Sequence, residues 1–156
     1  MVHTLVVYCI ELKSVTGLAL TPDDLEKCMV RRAGGDTAII EVPEVIYTPA
    51  LKKCFLFVSY SPLFTTYNVR VGRADNPEGP YLDINGKDMS TVEDNFPVLT
   101  YAYRLDNQLF CSGIGCCGVL NDNGIFYIFH QGRLAPDNFM MDLHVRKYSD
   151  FQLVDR

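Results

Sequence analysis

Short apolar runs separated by polar turns recur along the chain, most clearly at residues 4–10, 37–47, 54–61, 67–73, 98–105, 108–112, 117–121, 125–130 and 141–148. Runs of this length, rich in β-branched and aromatic residues, predict strands; helices would need a 3.6-residue period held over longer windows. The pattern therefore predicts an all-β protein. Asp122-Asn123-Gly124, between Val119-Leu120 and Ile125-Phe126-Tyr127, predicts a tight hairpin, because Asn and Gly accept the positive φ that such turns need. Asp106-Asn107 predicts a second, weaker one. Thr21-Pro22-Asp23-Asp24-Leu25-Glu26 has a capping Thr and a Pro suited to the first helical position, which predicts one short helical turn with Asp23 and Asp24 as helix-start charges. Residues 74–97, rich in Pro, Gly, Asn and Asp, form the longest irregular connection, a length that marks a link between sheets or a functional loop.

Composition narrows the picture. A chain of 156 residues that is 48% hydrophobic, with nine Phe and nine Tyr, is expected to fold as one domain with a substantial core. The net charge is −5, and the basic residues form no run longer than Arg31-Arg32 or Lys52-Lys53, so a nucleic-acid partner is not expected. The apolar stretch Leu5–Ile10 is too short for a membrane span or the core of a signal peptide, which predicts a chain with no membrane partner and no export signal of its own. Cys9 and Cys54 lie in apolar strand patterns, where free Cys behaves as a small hydrophobe. Reduced, mostly buried thiols are therefore expected for the six cysteines, and no paired CxxC supports a structural zinc site. Motifs for nucleotide phosphates, serine nucleophiles or metalloprotease zinc (P-loop, GxGxxG, GxSxG, HExxH) are absent from the sequence.

One segment carries candidate chemistry. Glu41-Val42-Pro43 opens a strand, preceded by Arg32-Ala33-Gly34-Gly35-Asp36-Thr37-Ala38-Ile39 and followed by Phe57-Val58-Ser59-Tyr60, Tyr67-Asn68-Val69-Arg70-Val71 and Asn76-Pro77-Glu78-Gly79-Pro80-Tyr81. Over residues 31–81 this order resembles one blade of the five-bladed β-propeller glycoside hydrolases of family 43, the arabinanase group. The resemblance implies a partial β-propeller of roughly three blades within a single domain over 1–156. Residues 1–30 would end one blade and connect onward, 31–81 would form the best-matched blade, and 98–156 would supply the remaining blade strands.

The chemistry implied is inverting hydrolysis of O-glycosidic bonds, in which one carboxylic acid protonates the leaving oxygen and one carboxylate activates water. Glu41 matches the family's general acid. On its own it would read as a solvated charge at a strand start; the surrounding motif makes it a candidate. Val42 and Glu44 stand where the family has a small residue and an aromatic. The family's base and its acid-orienting Asp belong to blades ahead of the strand matched by Leu5-Val6-Val7-Tyr8, and Asp36 matches a position outside that trio. This chain alone is accordingly expected to lack the base and to be inactive. Tyr47, Phe64, Tyr67 and Asn68 are candidates for a sugar-binding surface, since aromatic faces pack on sugar rings, and His130 matches an aromatic-His strand end. Cys116 stands at the family's metal-holding His in Gly115-Cys116-Cys117-Gly118-Val119. A thiol does not suit a hard, oxygen-ligated cation, so no metal and no cofactor are expected. The implied partner is a plant cell-wall polysaccharide or oligosaccharide, arabinan or arabinoxylan, with self-association through open propeller edges. The family is often secreted. A non-catalytic carbohydrate-binding remnant and a β-rich interaction module are the competing readings.

Overall fold

The computed structural model describes residues 4–9, 27–33, 39–62, 66–91, 98–100, 103–105, 109–134 and 142–148. These form ten strands: β1 (Thr4–Cys9), β2 (Lys27–Ala33), β3 (Ile40–Thr48), β4 (Lys53–Tyr60), β5 (Asn68–Ala74), β6 (Val98–Thr100), β7 (Tyr103–Leu105), β8 (Leu109–Asp122), β9 (Ile125–Leu134) and β10 (Asp142–Tyr148). The all-β expectation holds throughout the described residues. The predicted helical turn at 21–26 and the tip of the second predicted hairpin at Asp106-Asn107 lie outside them.

The strands make three antiparallel sheets: β1-β2, then β3-β4-β5-β6, then β10-β9-β8-β7. Strand β4 explains how they stack. Its sequence, Lys53-Cys54-Phe55-Leu56-Phe57-Val58-Ser59-Tyr60, is apolar on both faces, the mark of a strand covered on both sides. Cys54, Leu56, Val58 and Tyr60 join one core cluster with Met29 and Val30 of β2, against which Val7 and Cys9 of β1 also pack. Phe55 and Phe57 point the other way and join Val69, Val71, Cys117 of β8 and Ile128 of β9. The period-2 alternation of one strand therefore ties the middle sheet to both neighbours, and each fully buried large apolar side chain contributes about 1.5–3 kcal/mol.

Two strands depart from the apolar pattern. β2 was not expected, because Arg31 and Arg32 interrupt its apolar signal; Met29 and Val30 are nevertheless buried, and Arg32 Nη1 donates to the Ile39 carbonyl at 3.2 Å and to Ser61 Oγ at 3.1 Å. The runs at 108–112 and 117–121 are one strand, β8. The small residues Ser112, Gly113 and Gly115 silence the apolar signal between them while pairing with β9 continues across two register shifts. The Asn123-Gly124 hairpin is as predicted: both residues have positive φ (52° and 89°), and Asp122 pairs directly with Ile125.

The long connection after β5 returns to the same sheet, since β6 pairs with β5. Its described part is held by its own polar groups. Asp83 Oδ1 accepts the N–H groups of Asn85 and Lys87, each at 2.8 Å, and Tyr81 Oη donates to the Pro77 carbonyl at 2.7 Å. The Gly79–Pro80 peptide is cis.

Candidate active site

Glu41 lies where β3 is irregular. Glu41 pairs with Ser59 and Glu44 with Phe57, so two residues, Val42 and Pro43, oppose Val58 alone. Val42 takes φ 53°, a left-handed conformation that is an outlier for a β-branched side chain. Bulges of this kind re-aim side chains, and here Glu41 is exposed while Ile40 before it is buried.

The carboxyl is met by a buried phenol. Tyr67, with no exposed surface, donates its O–H to Glu41 Oε1 at 2.8 Å, and the same Oη lies 3.4 Å from Cys116 Sγ. Burial raises the Tyr67 hydroxyl well above the ordinary tyrosine range; the Cys116 and Glu41 contacts push the same way, while the Ser59 hydroxyl opposes them. Tyr67 therefore keeps its proton and remains a donor to Glu41. Ser59 Oγ also accepts the Cys116 N–H at 2.9 Å. The Tyr67 ring presses on β8: a Cβ built on Gly115 would lie 2.0 Å from its Cε1 atom, so only glycine fits there. Cys116 and Ser61 are non-glycine residues with positive φ as well (50° and 73°). Backbone strain of this sort clusters at functional sites and persists where surrounding structure over-determines it.

The remaining candidates are distributed more widely. Asn68 is buried and satisfied within the chain: Nδ2 donates to the Thr66 carbonyl at 2.7 Å, and Oδ1 accepts Arg70 Nε at 3.1 Å. Arg70 in turn lies over the Tyr60 ring, 4.3 Å from its centroid. Tyr47, further along β3, is 55% exposed. Phe64 lies outside the described residues, as does Asp36. His130 is fully buried on β9, directly opposite His144 of β10, with ring centroids 5.4 Å apart and an interplanar angle of 16°. Its Nδ1 sits 3.1 Å from the Gln131 carbonyl. Burial holds the His130 imidazole below its ordinary pKa, the nearby Arg146 and His144 add to that, and the Gln131 carbonyl opposes it. His130 is thus kept neutral.

Cys116 Sγ is engaged with the Tyr67 hydroxyl, and among the described residues no group of three or more His, Cys, Asp or Glu could hold an ion. A thiol engaged with a phenol is a poor ligand for the hard, oxygen-ligated cation that the resemblance would place beside Cys116. Cys9, Cys28, Cys54, Cys116 and Cys117 are free, and burial pushes the Cys117 thiol up to about 12. The contacts missed by sequence reasoning are Ser59 and Gly115. Ser59 was visible as a lone hydroxyl in an apolar strand, whereas Gly115 has meaning only once Tyr67 is seen against it.

Antiparallel sheets stacked face to face, each strand following its neighbour, are the arrangement of β-propeller blades. Comparison with known proteins agrees. The extracellular endo-α-(1→5)-L-arabinanase of Thermotoga petrophila is 38% identical over 109 residues, which is 68% of this chain and 22% of that protein. The extracellular endo-α-(1→5)-L-arabinanase 2 of Bacillus subtilis is 35% identical over 88 residues, 55% of this chain and 18% of that protein. The crystal structure of an endo-1,5-α-L-arabinanase from Thermotoga petrophila superposes with a TM-score of 0.76 at 27% identity, covering 88% of this chain and 34% of that one. No family model matches the chain. The chain has a glycoside hydrolase family 43 arabinanase-like fold, and it spans about a fifth of the length of these curated relatives.

Proposed function

We propose that this chain is the acid-bearing portion of an arabinan-degrading glycoside hydrolase, with Glu41 as the general acid. The observation that carries the reading is the pairing of an exposed Glu41 carboxyl with the buried, protonated Tyr67 hydroxyl at 2.8 Å, on a bulged strand of the arabinanase-like fold. Glu41 would protonate the departing glycosidic oxygen, and Tyr47 on the same strand offers an exposed aromatic face to a sugar ring. The hydrogen-bonded cluster contributes one carboxylate, so proton donation is the half of the reaction it can perform by itself; water activation needs a second carboxylate roughly 6.5–9.5 Å away. The partner is an arabinan-type polysaccharide or oligosaccharide, with arabinoxylan as a further candidate, and copies would self-associate through open propeller edges.

The test is binding of linear arabino-oligosaccharides to the purified chain, with reducing-end release from linear arabinan measured beside it for the wild type and Glu41→Gln. Binding without release is expected. Release that disappears in Glu41→Gln would place a base within the chain or across a dimer. Absence of binding would contradict the reading and leave a β-rich interaction module.

A further inference from the structure

We propose that Tyr67, seated on Gly115 of the neighbouring sheet, is the residue that positions the Glu41 carboxyl. This rests on the reading of Glu41 as the acid and adds how the acid is aimed. A glutamate on an exposed strand has three side-chain torsions to settle, and proton transfer needs the carboxyl within about 0.5 Å of one geometry. Tyr67 offers a fixed reference. Its ring has no exposed surface, and its face is set by the Gly115 backbone, where any larger residue would drive into the ring. Its hydroxyl is bracketed by Cys116 Sγ at 3.4 Å and Glu41 Oε1 at 2.8 Å. Ser59 Oγ, held by the Cys116 N–H, closes the cluster from β4.

The positioning crosses the junction between sheets. Glu41 and Ser59 belong to the β3–β6 sheet and Tyr67 directly precedes its strand β5, whereas Gly115 and Cys116 belong to β8. A carboxyl oxygen accepts a phenol O–H whether or not the group carries its proton, so the bond from Tyr67 to Oε1 favours one Glu41 rotamer in either state. The contact uses Oε1 and leaves Oε2 for a second partner. The aim of the acid thus depends on how the two four-stranded sheets pack. That dependence is absent from any reading of β3 alone.

The test uses the full chain carrying carbon-13 in the Glu carboxyl and Tyr Cζ positions, followed by NMR. In Glu41→Gln, whose side chain is exposed and whose fold should persist, the Tyr67 Cζ resonance is expected to shift more than that of any other tyrosine. In Tyr67→Phe the Glu41 side chain is expected to lose its single rotamer and average, and Gly115→Ala should do the same while keeping the hydroxyl. Tyr47→Phe, on the same strand, should move neither signal. A Tyr67 Cζ resonance unmoved in Glu41→Gln, or a Glu41 rotamer unchanged in a folded Tyr67→Phe, overturns the positioning role. These outcomes are separate from the arabinan reading: intact Tyr67–Glu41 coupling in a chain that binds no arabino-oligosaccharide overturns that reading, whereas binding without coupling overturns only the positioning.

Discussion

The two ends of the β3–β6 sheet are built differently. At the Glu41 end, Val42 and Ser61 hold left-handed backbone without being glycine, Cys116 of the next sheet does the same, and polar atoms from both sheets converge on one exposed carboxyl. At the other end, β3 turns into β4 through a tight turn at 49–52 in which Lys52 also takes a left-handed φ of 50°, and the segment after β5 is tied down by its own polar groups and by the ends of β4 and β5. Asp83 is buried beneath two N–H groups, Leu82 and Arg73 exchange backbone bonds at 2.8 Å, and Lys53 pairs with Asp75. A cleft of about 500 Å³ opens there between Leu51, Lys53, Arg73, Asn76 and Pro80. Glu41 and Thr48 at the two ends of β3 lie roughly 20 Å apart at the usual strand rise. The cleft and the polar cluster thus lie at opposite ends of the sheet, and the converging polar atoms beside the left-handed, β-branched Val42 single out Glu41.

Five changes would break or sharpen this contrast. The largest effect is expected from Phe57→Ala, which empties the joint between the middle and third sheets and should cost about 3–5 kcal/mol in denaturant unfolding. Because the joint also carries the acid cluster, arabino-oligosaccharide binding should weaken with it. Asp83→Ala strips the acceptor from two N–H groups at the opposite end and should cost about 2–3 kcal/mol with oligosaccharide affinity unchanged; a parallel loss of affinity would mean that the ends are not independent. Val42→Gly should raise stability by about 1 kcal/mol by relieving the left-handed valine, while loosening Glu41. A stability gain with Glu41 equally well held would show the strain to be idle.

Smaller at neutral pH is the contribution of His130. Its folded pKa lies below the unfolded value, so the fold favours the neutral ring. That contribution is complete above the unfolded pKa of about 6.5 and is lost as pH falls through that value toward the lowered folded one. Unfolding midpoints measured across this range should fall with pH, and His130→Gln should flatten the slope. Last, Tyr47→Ala should leave stability within about 0.5 kcal/mol; because Tyr47 lies toward the far end of β3, a severalfold loss of affinity, read by isothermal titration, is expected for arabino-oligosaccharides long enough to span the strand. Unchanged affinity would remove Tyr47 from the sugar surface.

Much of this architecture was legible in the sequence because strands announce themselves by period and turns by their glycines. The apolar run 54–61 read as a strand, and Asp122-Asn123-Gly124 as a hairpin. β2 escaped because Arg31 and Arg32 interrupt its apolar pattern and the partners of Arg32, the Ile39 carbonyl and Ser61, are not revealed by local pattern; β8 looked broken because glycines carry no apolar signal. Glu41 was found through its flanking motif, since nothing in its own spacing distinguishes it from a solvated glutamate. Tyr67 was expected at a sugar surface from its aromatic character; the structure buries it and turns its hydroxyl to Glu41. Gly115 could not be weighed at all, because the ring it admits comes from 48 residues earlier in the chain.

The most direct test of the Glu41 end as the sugar site is a titration of the full chain with a linear arabino-oligosaccharide, following the Glu41 and Asp83 carboxyl carbons by NMR. The account predicts that the Glu41 signal moves in a saturable way while Asp83, at the far end of the sheet, stays still. Saturable movement of Asp83 with Glu41 unmoved would place binding toward the opposite end of the sheet and contradict it.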